Sequence, residues 1–256
     1  MNYRNTNIAC MVLLATLILL DWNTNISGWF YVLLVILYIG IQVYGTTYMS
    51  SNFFVPAKCH GDRHRRAVAI TFDDGPLPLM TAKILDILKK YQVPATFFCI
   101  GNRVHKHPEM VARIQAEGHL VGNHTYSHGK LFDLQSARQM GDELAQTDAE
   151  IGKAIGLKPK FFRPPYGVTN PNLARAIKKG GYVAMGWSVR SFDTVSKDEN
   201  KLFARITKKL QAGDVILLHD YCDITIRVLP RVLDHIEKLG LKVVRLDELM
   251  NEQAYA

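Results

Sequence analysis

The stretch VAITFDDGP, residues 68–76, runs through Thr71 and Phe72 into two adjacent carboxylates, Asp73 and Asp74, and then into a Gly-Pro turn. Its apolar part reads as a buried strand. Neighbouring carboxylates repel, and burying either of them unpaired costs several kcal/mol. A positive partner is therefore expected at the mouth of this strand.

Outward from it, the periodicity alternates. AVAITF (67–72), ATFFCIG (95–101), HLVGN (119–123), FFRPP (161–165), GYVAMGWSV (181–189), DVILLHD (214–220) and KVVRL (242–246) read as strands. Between them, residues 80–91, 108–118, 136–155, 171–179, 200–211 and 225–239 carry helical spacing. Repeated β-α units imply an α/β fold with a parallel sheet and helices outside it. About seven strands come near the number a closed barrel requires, which favours a (β/α) barrel over an open doubly wound sheet.

The first segment has a different composition. IACMVLLATLILL (8–20) and GWFYVLLVILYIGIQVYG (28–45) are almost wholly apolar, and Trp22, Trp29, Tyr31 and Tyr44 lie near the ends of these runs. The second run matches a bilayer's hydrocarbon thickness, and aromatic residues favour the interface. A cleaved signal peptide is the competing reading, but only Arg4 supplies a basic start and no small-x-small site follows Leu20. The expected organisation is a membrane anchor of one or two transmembrane helices over 1–47, a linker over 48–65 and a catalytic domain over 66–256. If both runs cross, the basic residues Arg4, Lys58, Arg63, Arg65 and Arg66 favour a cytoplasmic domain; if the first run does not span, an outside domain is open as well.

The net charge of +8 is modest, and no nucleic-acid motif accompanies it. Cys10, Cys59, Cys99 and Cys222 show neither zinc spacing nor a disulfide framework, so free thiols are expected.

Polar residues collect at the strand ends: Asp73 and Asp74, His124 and His128, Arg163, Asp193, then His219 and Asp220. In a parallel β/α fold these ends share one face, where active sites are built. NHTYSH sets two imidazoles four residues apart, and with one carboxylate they make a three-ligand metal site with an open position. The second carboxylate is then free to take a proton. Trp187 either lines the groove or fills the core. Each element has a plain reading too, since a DDGP turn, an H-x-x-x-H pair or an RPPYG loop is by itself a common structural device. It is their order, each directly after a strand, that points to a site.

TFDDGP, HTYSH, RPPYG and LLHD, in that order, resemble the motifs of the polysaccharide deacetylases, carbohydrate esterase family four, over residues 67–249. The resemblance implies a distorted β/α barrel and a divalent metal, usually zinc. It also implies removal of acetyl groups from sugars such as peptidoglycan or chitin. By position, Asp73 would be the general base, and Asp74, His124 and His128 the metal ligands. Arg163 would steady the carboxylates, the Tyr166 N–H would bind the oxyanion, His219 would be the acid and Leu217 would line the acetyl pocket. The fourth motif departs from the D-S-x-D-W pattern: WSVRSFDT (187–194) keeps Asp193 but has Arg190 for the first Asp and Thr194 for the Trp. The expected substrate is an acetylated glycan, with deacylation or deformylation of a lipid-linked sugar at the membrane as the alternative. A non-catalytic glycan-binding module predicts erosion of the metal triad or the acid, and neither is eroded.

Overall fold

The structure is a computed structural model describing residues 2–256. Two helices come first, α1 (Tyr3–Thr24) and α2 (Trp29–Thr47). Both are long and apolar enough to cross a membrane by length and composition, and only 6% of each apolar window is buried. They pack antiparallel through a short turn that leaves Trp22 and Trp29 exposed.

Residues 48–65 pack against the rest of the chain. They hold a single 3-10 turn (Met49–Ser51) and strand β1 (Ala57–Lys58), and Met49, Val55, Ala57 and Cys59 are buried with Phe132, Leu144, Phe162 and Leu173. The following elements alternate: β2 (Ala67–Asp73), α3 (Pro78–Tyr91), β3 (Thr96–Cys99), α4 (Gly101–Lys106), α5 (Pro108–Ala116), β4 (Leu120–Asn123), α6 (Ala137–Ile155), β5 (Phe161–Phe162), α7 (Pro171–Gly180), β6 (Val183–Met185), β7 (Val189–Arg190), α8 (Glu199–Thr207), β8 (Val215–His219), α9 (Asp223–Lys238), β9 (Lys242–Val243) and α10 (Leu246–Met250).

Local chemistry sets several boundaries. Pro78, Pro108 and Pro171 open their helices, where a missing N–H costs nothing. Ser136 and Gln139 form a capping box on α6, and the left-handed Gly156 ends it.

All the paired strands run parallel, in the order β1-β6-β5-β4-β3-β2-β8-β7, with β9 beside β2. The sheet is a curled, distorted half-barrel. β2 is central and buried throughout, between β3 and β8. The nine strands among the described residues exceed the expected seven for two reasons. β1 is an addition, and the expected strand 181–189 is two strands, β6 and β7, that pair at opposite ends of the sheet. The break falls at Gly186–Ser188, where Gly186 N donates to Lys58 O at 2.9 Å and Ser188 N to Val215 O at 3.1 Å.

The end of α2 is hydrogen-bonded to the domain that follows. Thr169 N donates to Thr46 O and the buried Thr169 hydroxyl to Gly45 O, each at 3.1 Å. A Cβ on Gly45 would lie 2.1 Å from the Phe53 side chain, so the packing of Phe53 against the end of α2 requires glycine there.

Candidate active site

Register brings the strand-end residues together. Asp73, last in β2, pairs across to His219, last in β8, while Asn123, last in β4, pairs with Phe162, one residue before Arg163. The carboxylate Asp73 and the imidazole His219 therefore leave adjacent strands at the same level.

The partner required by Asp73 is Arg163. Its guanidinium is 0% exposed and donates to Asp73 Oδ1 at 2.7 Å and Thr71 Oγ1 at 2.8 Å. It also donates to Met185 O at 3.1 Å and Gly186 O at 2.8 Å, and lies 4.1 Å from the Phe98 ring centroid. Burial draws the Arg163 pKa down and Asp73 opposes it; an arginine stays charged under such a load.

Asp74 turns away from its neighbour, in a left-handed conformation with φ 76°. Its Oδ1 lies 3.4 Å from His124 Nε2 and 3.4 Å from His128 Nε2, with the three donor atoms within 4.8 Å of one another. Two observations fit this set to a metal ion. Tetrahedral ligands at about 2.0–2.1 Å from zinc are separated by roughly 3.4 Å, and Asp74 Oδ1 is buried with no hydrogen-bond partner among the described residues. In addition, His124 Nδ1 lies 2.7 Å from Arg163 O. Donation to that carbonyl leaves the Nε2 lone pair facing Asp74. Burial pushes the Asp74 carboxyl up, but its attraction to His124, with the charges of His128 and His219, more than reverses this, to about 2.

The loop between the imidazoles is held from α6. Tyr126 N and Ser127 N donate to Glu143 Oε2 at 2.9 and 2.7 Å, and the Ser127 hydroxyl donates to Glu143 Oε1 at 2.8 Å. Asn123 Oδ1 accepts from Thr125 N at 2.9 Å. Thr125 and His128 both have positive φ, 63° and 49°, which these bonds stabilise.

Asp193 is nearly buried and holds His219 twice, through Nδ1 at 2.7 Å and the backbone N at 2.7 Å. Thr225 Oγ1 supplies a third bond to Asp193, at 2.6 Å. Burial works against the imidazolium, but the Asp193 hydrogen bond and charge outweigh it, so the His219 pKa lies above its ordinary value.

A groove of about 160 Å³ connects Asp73, Asp74, His124, His128, His219 and Leu217. Its rim includes Tyr166, half exposed with φ 57°, whose N–H donates to no other described residue. Trp187 is partly buried against the core residues Phe98, Phe161 and Met185 and borders the groove. Its ring packs where a Cβ on Gly167 would come within 2.4 Å. All ten expected site residues thus lie in or directly behind one groove. Tyr221 also lines it, and Glu143, Asn123 and Arg103 position its loops; Arg103 donates to Asp74 O at 2.6 Å.

The known proteins it resembles decide the family. The polysaccharide deacetylase family matches residues 60–185. A peptidoglycan-N-acetylglucosamine deacetylase of Bacillus cereus is 35% identical over 196 residues, covering 73% of this chain and 89% of that protein. The chain belongs to the polysaccharide deacetylase family. A chitooligosaccharide deacetylase of Bradyrhizobium is similar to this deacetylase at 32% identity over 198 residues, covering 72% and 90% of the two chains. The fold agrees: a crystal structure of a peptidoglycan N-acetylglucosamine deacetylase bound to an N-oxidanyl-benzamide superposes with a TM-score of 0.74. It shares 30% sequence identity and covers 77% of this chain and 94% of that one.

Proposed function

We propose that this deacetylase hydrolyses N-acetyl groups on an acetylated sugar polymer, peptidoglycan or a chitin-like glycan. The observation that carries the reading is the convergence of Asp73, the Asp74–His124–His128 set and the Asp193-held His219 on one small groove. Residues 66–256 form the catalytic domain in this reading, 48–65 a packed connector, and 1–47 a membrane anchor.

Amide hydrolysis needs an activated water, a stabilised oxyanion and a proton for a poor leaving group. Asp74, His124 and His128 would hold a divalent cation, zinc by their donor chemistry, which supplies Lewis acidity at the acyl group. Asp73, fixed by Arg163, accepts the proton of the attacking water. The Tyr166 N–H points its donor at the developing oxyanion, and Leu217 packs the acetyl methyl. His219 delivers a proton to the departing amine, and Asp193 fixes the ring and stabilises its cationic form.

Acetate release from a panel of acetylated glycans tests the reading directly. Release from peptidoglycan or chitin oligomers is expected, and release from none of them overturns it. The purified chain is expected to carry about one divalent cation, by the three-ligand logic. Asp74→Ala and His124→Ala are expected to lose it; retention of full metal content by either variant removes that residue from the ligand set.

His219→Ala is expected to slow amide cleavage by about 10²-fold and to slow an activated acetyl ester far less, since a phenolate-type leaving group needs no proton. Equal losses on both substrates rule out the acid role. The pH profile carries the same sign. A raised pKa keeps His219 protonated beyond the ordinary histidine range, so amide turnover falls only as pH rises through that higher value. Asp193→Asn removes the negative charge that helps to hold the value up, and the falling limb moves to lower pH.

One observation favours the second reading, a lipid-linked sugar substrate. The end of α2 is bonded to Thr169, two residues beyond the groove-lining Gly167. With α1 and α2 in a bilayer, the groove works near the membrane surface. Deacylation of a lipid-linked acetylated sugar in nanodiscs, exceeding that of the free glycan, would favour it.

A further inference from the structure

A second cleft, larger than the catalytic groove, lies beside it. It measures about 1110 Å³, lies between the loop 191–198 and α8, and shares Arg190 with the groove. Its lining is cationic: Arg190, Lys197, Lys201, Arg205, Lys208 and Lys209 all border it, and none forms an ion pair among the described residues.

The nearby carboxylates are engaged elsewhere. Asp214 takes Arg63 at 2.6 Å and the Ser188 hydroxyl at 2.7 Å. Asp198 caps α8 through Asn200 N at 2.9 Å and Lys201 N at 3.0 Å, and Glu199 pairs with Arg227 at 2.6 Å. Unpaired cations on a flat surface are ordinary solvated groups. Here they line a concavity, and two of them lie against one aromatic ring. The Phe192 ring lies 4.6 Å from Arg190 Cζ and 4.9 Å from Arg205 Cζ, and Arg190 also lies 5.5 Å from Trp187. Phe192 is itself held at φ 58°, a strained conformation for an aromatic residue. Its neighbours fix that turn, since Asp193 N donates to Ser191 Oγ at 3.3 Å and the Ser191 hydroxyl donates back to Asp193 at 2.9 Å. Stacked guanidiniums keep their N–H edges free, the arrangement that receives an oxyanion.

We propose that this cleft binds an oxyanion, a phosphate or a carboxylate substituent, carried by the glycan whose acetylated sugar occupies the groove. The proposal rests on the deacetylase reading and assigns a purpose to Arg190, the residue by which the fourth motif departs from its pattern. Where the pattern has an acidic first position and an aromatic groove wall, this chain offers a guanidinium that opens onto a positive cleft. The selected substrate is then an acetylated glycan with negative charge near the scissile amide.

The test uses the full chain in neutral-lipid nanodiscs with three acetylated oligosaccharides of equal length: neutral, bearing one phosphate, and bearing one carboxylate. Calorimetric titration is expected to give about tenfold or tighter binding for at least one anionic probe than for the neutral one, the scale of a charged hydrogen bond. That advantage shrinks at high salt, and it identifies the preferred anion if only one probe gains. The Lys201→Gln/Arg205→Gln double variant is expected to lose the advantage, with the ratio of anionic to neutral turnover falling by a similar factor. Equal affinity for all three probes overturns the proposal, as does an advantage that survives in the double variant. An advantage abolished by exchanging the neutral lipid for phosphatidylserine overturns it in favour of a lipid-surface contact. If no probe releases acetate while the affinity advantage persists, the deacetylation reading falls and the anion site stands.

Discussion

Asp73→Asn is expected to keep its metal and lose turnover toward the upper end of the range of about 10²–10⁴-fold that general base catalysis supplies. Asparagine is nearly isosteric and its carbonyl oxygen can still accept from Arg163, so the geometry behind the groove is largely preserved. What vanishes is the ability to accept a proton. The loss should fall on kcat, because Asp73 acts on the reacting water and not on the sugar. Metal analysis of the same sample separates the alternatives. Turnover lost with the cation still present supports the base assignment; turnover lost together with the cation would exchange the roles of Asp73 and Asp74. Turnover within tenfold of the parent would end the base assignment.

Arg163→Met is expected to cost about 3–5 kcal/mol of stability, because removing one partner of a buried ion pair leaves the other charge uncompensated. The carboxylate at issue is Asp73, and the carbonyls of Met185 and Gly186 lose their donor with it. Denaturant titration followed by near-ultraviolet dichroism measures the loss, and a change below about 1 kcal/mol would show the pair to be dispensable. Arg163→Lys should recover only part of it. An ammonium supplies charge, but it cannot span acceptors in β2 and beyond β6 as a planar fork does.

The sequence shows the centre of this molecule more clearly than its edges. The β2 run and its terminal aspartates are legible because a continuous apolar strand cannot end in two charges without a partner, and one arginine and two imidazoles follow other strands. β1 is not legible. Its residues follow Pro56 in a stretch without alternation, and they form a strand only because the edge of β6 offers them hydrogen bonds. The break between β6 and β7 is likewise set from a distance. Residues 181–189 look continuous, yet Gly186 is fixed by its bond to Lys58 and by Cys59, whose sulfur would lie 2.4 Å from an added Cβ. The six-residue α4 is too short to show a helical period. Glu143 lies in the middle of a long amphipathic helix, where nothing local distinguishes it from its charged neighbours; only folding reveals the two N–H groups of the HTYSH loop that it receives.

The join between α2 and Thr169 has a mechanical consequence. A catalytic head on a slack stalk sweeps a wide hemisphere and samples polymer far from its tether. Here the last turn of the second helix is clasped by the loop that forms one lip of the cleavage pocket, so the head has little freedom to swing. With both helices embedded, the groove would stay at a set height above the lipid.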